Sequence, residues 1–206
     1  MKPNPQFAHL ATTVQLTNTL KALAANGFRA ELVKDGQKAK ERALAIIPIG
    51  AQVFTTTSQT LEQTGIAKEI NESAKYDAVR PRLYAMNKNT QKKEMAKLGA
   101  SADWVISSVA AITEDGHLLI ASASGSQLPS HAYAAENVIF VAGTQKVVAN
   151  IQEGIKRIYE YAYPLEDERA QKAYGVRSGV NKILIINKEL APGRIRIILA
   201  NEKLGF

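Results

Sequence analysis

Residues Ala102 to Asn150 read ADWVISSVAAITEDGHLLIASASGSQLPSHAYAAENVIFVAGTQKVVAN, and this stretch decides the fold class. It contains three apolar runs, WVISSVAAI (104–112), HLLIASA (117–123) and NVIFVAG (137–143). Each is short, rich in Val and Ile, and bounded by polar or glycine-containing punctuation, the pattern of buried strands. The punctuation carries chemistry. Thr113-Glu114-Asp115-Gly116 sets two carboxylates and a glycine at a strand end. SASGSQLP (122–129) is a small-residue loop leading into a helix. Gly143-Thr144-Gln145-Lys146 closes the third run with a lysine. Ligands of α/β proteins collect beyond the carboxyl ends of parallel strands, so three such ends in so short a span point to a site.

On the N-terminal side, strands and helices alternate. Asn4 caps a helix with Pro5 at its first position, and the apolar spacing of Phe7, Leu10, Val14, Leu16, Leu20 and Leu23 carries it to Asn26-Gly27. This amphipathic segment, 1–26, is expected as a helical appendage on the outside of the domain. Its apolar stripe offers a contact for a homodimer. FRAELVKD (28–35) and AQVFTTT (51–57) are strands, each followed by a helix: GQKAKERALAII (36–47) and TLEQTGIAKEINES (60–73). Parallel strands need such crossovers. On the C-terminal side, residues 152–175 are helical and broken or kinked at Pro164, with Ile151, Ile155, Ile158 and Tyr159 on the inner face. KILIINKE (182–189) and the segment from Arg194 are two final strands, expected to form an antiparallel hairpin at a sheet edge. The predicted fold is one three-layer, Rossmann-like α/β domain over 1–206, with a mostly parallel sheet, helices on both faces and antiparallel edge strands at the C-terminus.

Composition narrows the function. Of 206 residues, 46% are hydrophobic and 22% charged, ordinary for a globular chain. There is no cysteine, which excludes disulfides, thiolate catalysis and a cysteine-ligated iron–sulfur or zinc centre within the chain. Three histidines make a His-rich metal site unexpected, and no bound cofactor is predicted. No apolar run is long enough to span a membrane, and the N-terminus lacks a signal-peptide core, so a cytoplasmic, soluble protein is expected. The net charge of +7 favours an anionic partner. The basic residues are dispersed and aromatics are only 6%, so no nucleic-acid stacking platform is visible.

Candidate site residues follow from the loops. Thr57, Ser58 and Thr60, at a strand-to-helix junction, can cradle an anion with free backbone N–H groups, or serve only as helix caps. Ser124, Gly125 and Ser126 form a second small-residue cradle. Glu114 or Asp115 can act as general base or orienting group, or Asp115-Gly116 can be a plain hairpin turn. Lys146 and Arg177, the latter in a glycine-containing basic loop, supply positive charge.

Three segments carry a resemblance: SQTLEQTGI (58–66), LGASADWVISSVAAITEDGHLLIASASGSQLP (98–129) and NVIFVAGTQKVV (137–148) followed by a helix. In their order and spacing the chain resembles, from about Asn26 onward, the LUD family of lactate-utilisation domain proteins, which includes lactate utilisation protein C. That family is similar in fold to ribose-5-phosphate isomerases, methylthioribose-phosphate isomerases and CoA transferases. In that wider group a hydroxyl-rich loop after an early strand binds phosphate, and TTTSQT (55–60) occupies its place. The resemblance implies a protein that binds a small anionic metabolite (a carboxylate, phosphate or thioester). It implies action beside an iron–sulfur partner protein in oxidising lactate to pyruvate. The absence of cysteine places any such redox centre in the partner. The chain departs from the isomerases at Ala110, where they carry an acid, and SASGSQLP has fewer glycines than their loops. A sugar-phosphate isomerase or acyl-CoA transferase-like enzyme is therefore the second reading, and a non-catalytic regulatory or binding module the third.

Overall fold

In the computed structural model, which describes residues 2–206, the apolar runs assemble into two sheets. The order of elements is α1 (Thr13–Ala25), β1 (Arg29–Val33), α2 (Gly36–Ile46), β2 (Gln52–Thr55), α3 (Gln59–Gln63), α4 (Ile66–Glu72), β3 (Asp77–Ala78), α5 (Val79–Ala85), α6 (Lys92–Ala100), β4 (Trp104–Ser107), β5 (Ala111–Thr113), β6 (Leu118–Ser122), β7 (Asn137–Gly143), β8 (Val147–Val148), α7 (Ile151–Arg157), α8 (Tyr163–Tyr174), β9 (Lys182–Ile186) and β10 (Ile195–Ala200). The larger sheet runs β1-β10-β7-β4-β2-β3 with every neighbouring pair parallel. Its central strands are apolar on both faces because helices cover both. Val138, Phe140 and Ala142 of β7 pack into one core, and Ile139 and Val141 into the core on the other side. The expected three-layer arrangement is therefore present. No helix among the described residues is long and apolar enough to cross a membrane.

The smaller sheet runs β8-β5-β6-β9, parallel between β8 and β5 and antiparallel elsewhere. It explains two differences from the sequence reading. First, the run 104–112 is not one strand. β4 ends at Ser107 in the parallel sheet and β5 begins at Ala111 in the mixed one. The intervening backbone finds partners outside the parallel ladder: Val109 O accepts from Lys146, Ala110 O from Arg157, and Ala110 N donates to Leu119 O. Second, the last two strands are not paired with each other. β9 is an antiparallel edge strand against β6, whereas β10 lies between β1 and β7 inside the parallel sheet. Ile195 and the run 197–200 are buried, a composition suited to an interior strand.

The N-terminal segment also differs from a single helix. Asn4 caps one 3-10 turn, Pro5–Ala8, by accepting from Gln6 N. A second start, the Thr12–Gln15 capping box, then opens α1. Phe7 is buried beside Leu119, Ile158 and Tyr161, so it is not part of an exposed stripe; Leu10 and Val14 are exposed.

Pro164 neither breaks nor ends its helix. A π turn, Ile158–Ala162, joins α7 to α8. Pro164 has no N–H to offer Glu160 O four residues back. The Asn4 N–H reaches that carbonyl at 2.8 Å, and Asn4 Nδ2 donates to Glu160 Oε2 at 2.8 Å. The wider π turn also rotates the helix face, so Tyr161 is buried while Tyr159 points outward.

β7 ends where three segments converge. A Cβ at Gly143 would lie 2.1 Å from Gln145 Oε1 and 2.3 Å from Glu202 O. Gly143→Ala is expected to cost about 2–3 kcal/mol in urea unfolding through overpacking, since two of the atoms it would meet are backbone. Gly50→Ala, at φ +82 in open space, is expected to cost about 1 kcal/mol through backbone strain alone. Equal costs would contradict this packing.

Candidate functional site

The chain order of the parallel sheet reverses between β2 and β4. From β2 it moves outward to β3, and from β4 it moves the other way to β7 and β10. A crevice opens beyond the carboxyl ends of adjacent strands at such a switch point. Here it is a cavity of about 380 Å³. Thr56 and Ser107, whose hydroxyl oxygens are 2.7 Å apart, form its strand-end floor. β6, the serine loop and the π turn with α8 form the opposite wall.

Lys146 projects into this cavity from the 3-10 turn Thr144–Lys146 that follows β7. Its Nζ lies 3.1 Å from Thr60 Oγ1, 3.0 Å from Ser108 Oγ and 3.1 Å from Val109 O. The side chain is buried and has no carboxylate partner. Desolvation pushes the amine well below its ordinary pKa of 10.5, and the nearby Arg157 charge pushes it further.

Arg157 is fully buried behind the floor. Its Nε donates to Gln145 O at 3.3 Å, its Nη1 donates to Ala110 O, and its guanidinium sits 5.1 Å from the Tyr161 ring centre. Nη2 is buried without a hydrogen-bond partner. Burial lowers its pKa to about 10, so it remains charged at neutral pH. Lys146 and Arg157 are thus two buried basic groups, and among the described residues no Asp or Glu is buried. The acid in the cavity wall, Glu166, is held bidentately by Arg169 at 2.7 Å through both oxygens. Arg80 closes another side. It donates to Thr55 O and lies over the rings of Phe54 and Tyr84.

The cavity gathers Thr57, Ser58, Thr60, Ser124, Ser126 and Lys146 from the sequence reading. Ser58 is also an N-cap, accepting from Leu61 N at 3.4 Å. Thr60 turns inward toward Lys146. In the serine loop, Ser124 donates to Ser126 at 3.1 Å, and Gly125, at φ +83, packs on Lys182 behind the wall. Glu114, Asp115 and Arg177 do not join the cavity wall. Glu114 and Asp115 lie at the β5–β6 hairpin turn against α1. There Gln15 Nε2 donates to Glu114 at 3.0 Å, Asn26 donates to Asp115 O, and His117 faces the Asp115 carboxylate at 3.2 Å. Arg177 is exposed and pairs with Asp167 at 2.6 Å. Sequence reasoning missed Arg157, Ser108 and Arg80. Arg157 left a signal: Gly154, Arg157, Ile158 and Tyr161 share one helix face, where a cation among buried residues is unusual.

The pattern of the LUD domain family matches residues 16–200. The chain belongs to the LUD domain family. A crystal structure of a DUF162 family protein from Deinococcus radiodurans is similar to this LUD protein, with a TM-score of 0.57 and 12% identity. The match covers 94% of this chain and 100% of that one, and it shows the shared fold. No curated protein matches the chain in sequence.

Because the folded protein lowers the Lys146 pKa, the unfolded chain binds a proton that the folded chain does not, in the window between the lowered value and 10.5. Stability should rise with pH through that window by up to about 1.4 kcal/mol per pH unit. In Lys146→Met this contribution should vanish, as read by urea midpoints across alkaline pH. An unchanged slope in the variant would contradict the assigned burial.

Proposed function

We propose that this LUD domain protein binds a small anionic metabolite in the cavity beside Lys146. The observation that carries the proposal is a buried amine lining a cavity with hydroxyls and a carbonyl around it but no carboxylate. A buried cation is costly unless paired, and an anionic ligand would supply the missing charge. Arg157, also without a buried carboxylate, adds to the positive potential. A volume of about 380 Å³ lies within the range of small-molecule sites. Membership of the LUD family supports a lactate-utilisation-type role in broad terms; within our proposal that role is accessory, the metabolite is a carboxylate, phosphate or thioester, and the redox chemistry lies in an iron–sulfur partner.

The isomerase or acyl-transfer reading asks for a free carboxylate in the cavity. Glu166 is bound to Arg169, and Ala110 supplies none. These two facts favour binding over proton abstraction by a carboxylate.

Thermal-shift titration with lactate, pyruvate, sugar phosphates and CoA thioesters at fixed salt tests the proposal. A ligand at a hundred times its Kd should stabilise the protein by about 2.7 kcal/mol, a shift of about 5–10 °C. Lys146→Met should weaken binding at least about tenfold, while Glu114→Gln should leave it unchanged. Wild-type affinity in Lys146→Met, or no shift with any of these anions, would overturn the proposal.

A further inference from the structure

We propose that the ligand of this cavity is a short dicarboxylate, with one carboxylate paired with Lys146 and the other received by the free edge of the Arg80 guanidinium. The proposal rests on the reading that the cavity takes an anion beside Lys146. It adds a second anionic group and the residue that receives it.

Arg80 is a fixed cation with spare donors. It is the second residue of α5, directly after β3. Its Nε and Nη2 both donate to Thr55 O at the end of β2, the former at 2.8 Å. The ring centres of Phe54 and Tyr84 lie 5.1 Å and 5.6 Å from its guanidinium carbon. A guanidinium has five N–H groups, so three remain on the Nη1–Nη2 edge. Among the described residues no group takes them, and Arg80 lines the cavity. The acid nearest in sequence, Asp77, is bound by Arg82 at 2.9 Å instead. A planar guanidinium held between two rings and a carbonyl loses little freedom on binding. Its open edge matches the two oxygens of a carboxylate.

Arg80 and Lys146 approach the same strand ends from opposite sides. The sheet order here is β7-β4-β2-β3. Arg80 follows β3 and holds the last carbonyl of β2, whereas Lys146 follows β7 and holds Ser108 and Val109 just beyond β4. The hydroxyls of Thr56 and Ser107 lie between them. β2 and β4 are neighbours. The two cations are therefore separated by about one strand spacing plus a hydrogen-bond length on each side, on the order of 10 Å. A single small anion does not reach both. Two carboxylates joined by a short carbon bridge do. The charges agree with this span. Neither cation has an acid partner, and the acid in the cavity wall, Glu166, is already bound by Arg169. Two negative charges on the ligand would offset both.

The test is a ligand series read by isothermal titration calorimetry at fixed ionic strength and neutral pH. Butyrate, succinate, glutarate and inorganic phosphate are titrated into the wild type, Arg80→Gln, Arg80→Lys and Lys146→Met. Succinate or glutarate should bind the wild type at least about tenfold more tightly than butyrate, which has one carboxylate. In Arg80→Gln that ratio should fall toward one. Arg80→Lys keeps the charge without the fork and should recover only part of it. The ratio is taken within each protein, so an Arg80 that merely braces Thr55 would leave it unmoved, and the wild-type ratio needs no variant to fold. A wild-type ratio near one, or a preference for dicarboxylates that persists in Arg80→Gln, would overturn the proposal. If butyrate still binds and Lys146→Met weakens it, the single-anion reading survives that failure. Phosphate binding more tightly than either dicarboxylate would also overturn the proposal, in favour of one compact dianion. No binding of any of the four would remove both readings.

Discussion

Two buried basic side chains, with no buried Asp or Glu among the described residues, tie the ends of the strands together, and the rest of the site depends on them. Lys146 connects the turn after β7 to the loop after β4 and to Thr60 beyond β2. Arg157 connects α7 to Gln145 and to the Ala110 bridge between the sheets. A backbone that leaves one sheet and enters another must satisfy its polar groups in between, and here the cations do so. The same side chains that join the sheets therefore give the cavity its charge.

The arrangement also accounts for the helix that walls the cavity. Pro164 frees a carbonyl, Asn4 occupies it from the far end of the sequence, and the π turn presents Tyr161 beneath the Arg157 guanidinium. The chain before α1 thus contributes to the site by fixing the helix that carries Arg157. Phe7, buried against Ile158 and Tyr161, anchors that contact.

The parallel sheet was legible because β1 and β2 are each followed by a helix and β4 and β7 are short apolar runs, and period and punctuation are local properties. Lys146 and the Thr57–Thr60 loop were legible because they directly follow such strands. The choice for Glu114 and Asp115 between a site and a hairpin turn stayed open in the sequence because a carboxylate pair reads alike at a parallel strand end and in an antiparallel hairpin turn. What separates the two is the break at residues 108–110, and the side chains that satisfy it, Lys146 and Arg157, lie far along the chain. The pairing of β9 with β6, and the interior position of β10, are likewise settled by tertiary partners that the local pattern does not contain.

The most direct test of the central claim is the titration of Lys146 itself, followed by NMR of protein labelled at the lysine Cε and assigned with Lys146→Arg. A buried amine without a carboxylate should titrate apart from the exposed lysines, well below 10.5, and move upward when lactate fills the cavity. A Lys146 resonance that titrates with the surface lysines, and does not respond to lactate, pyruvate or phosphate, would contradict the account.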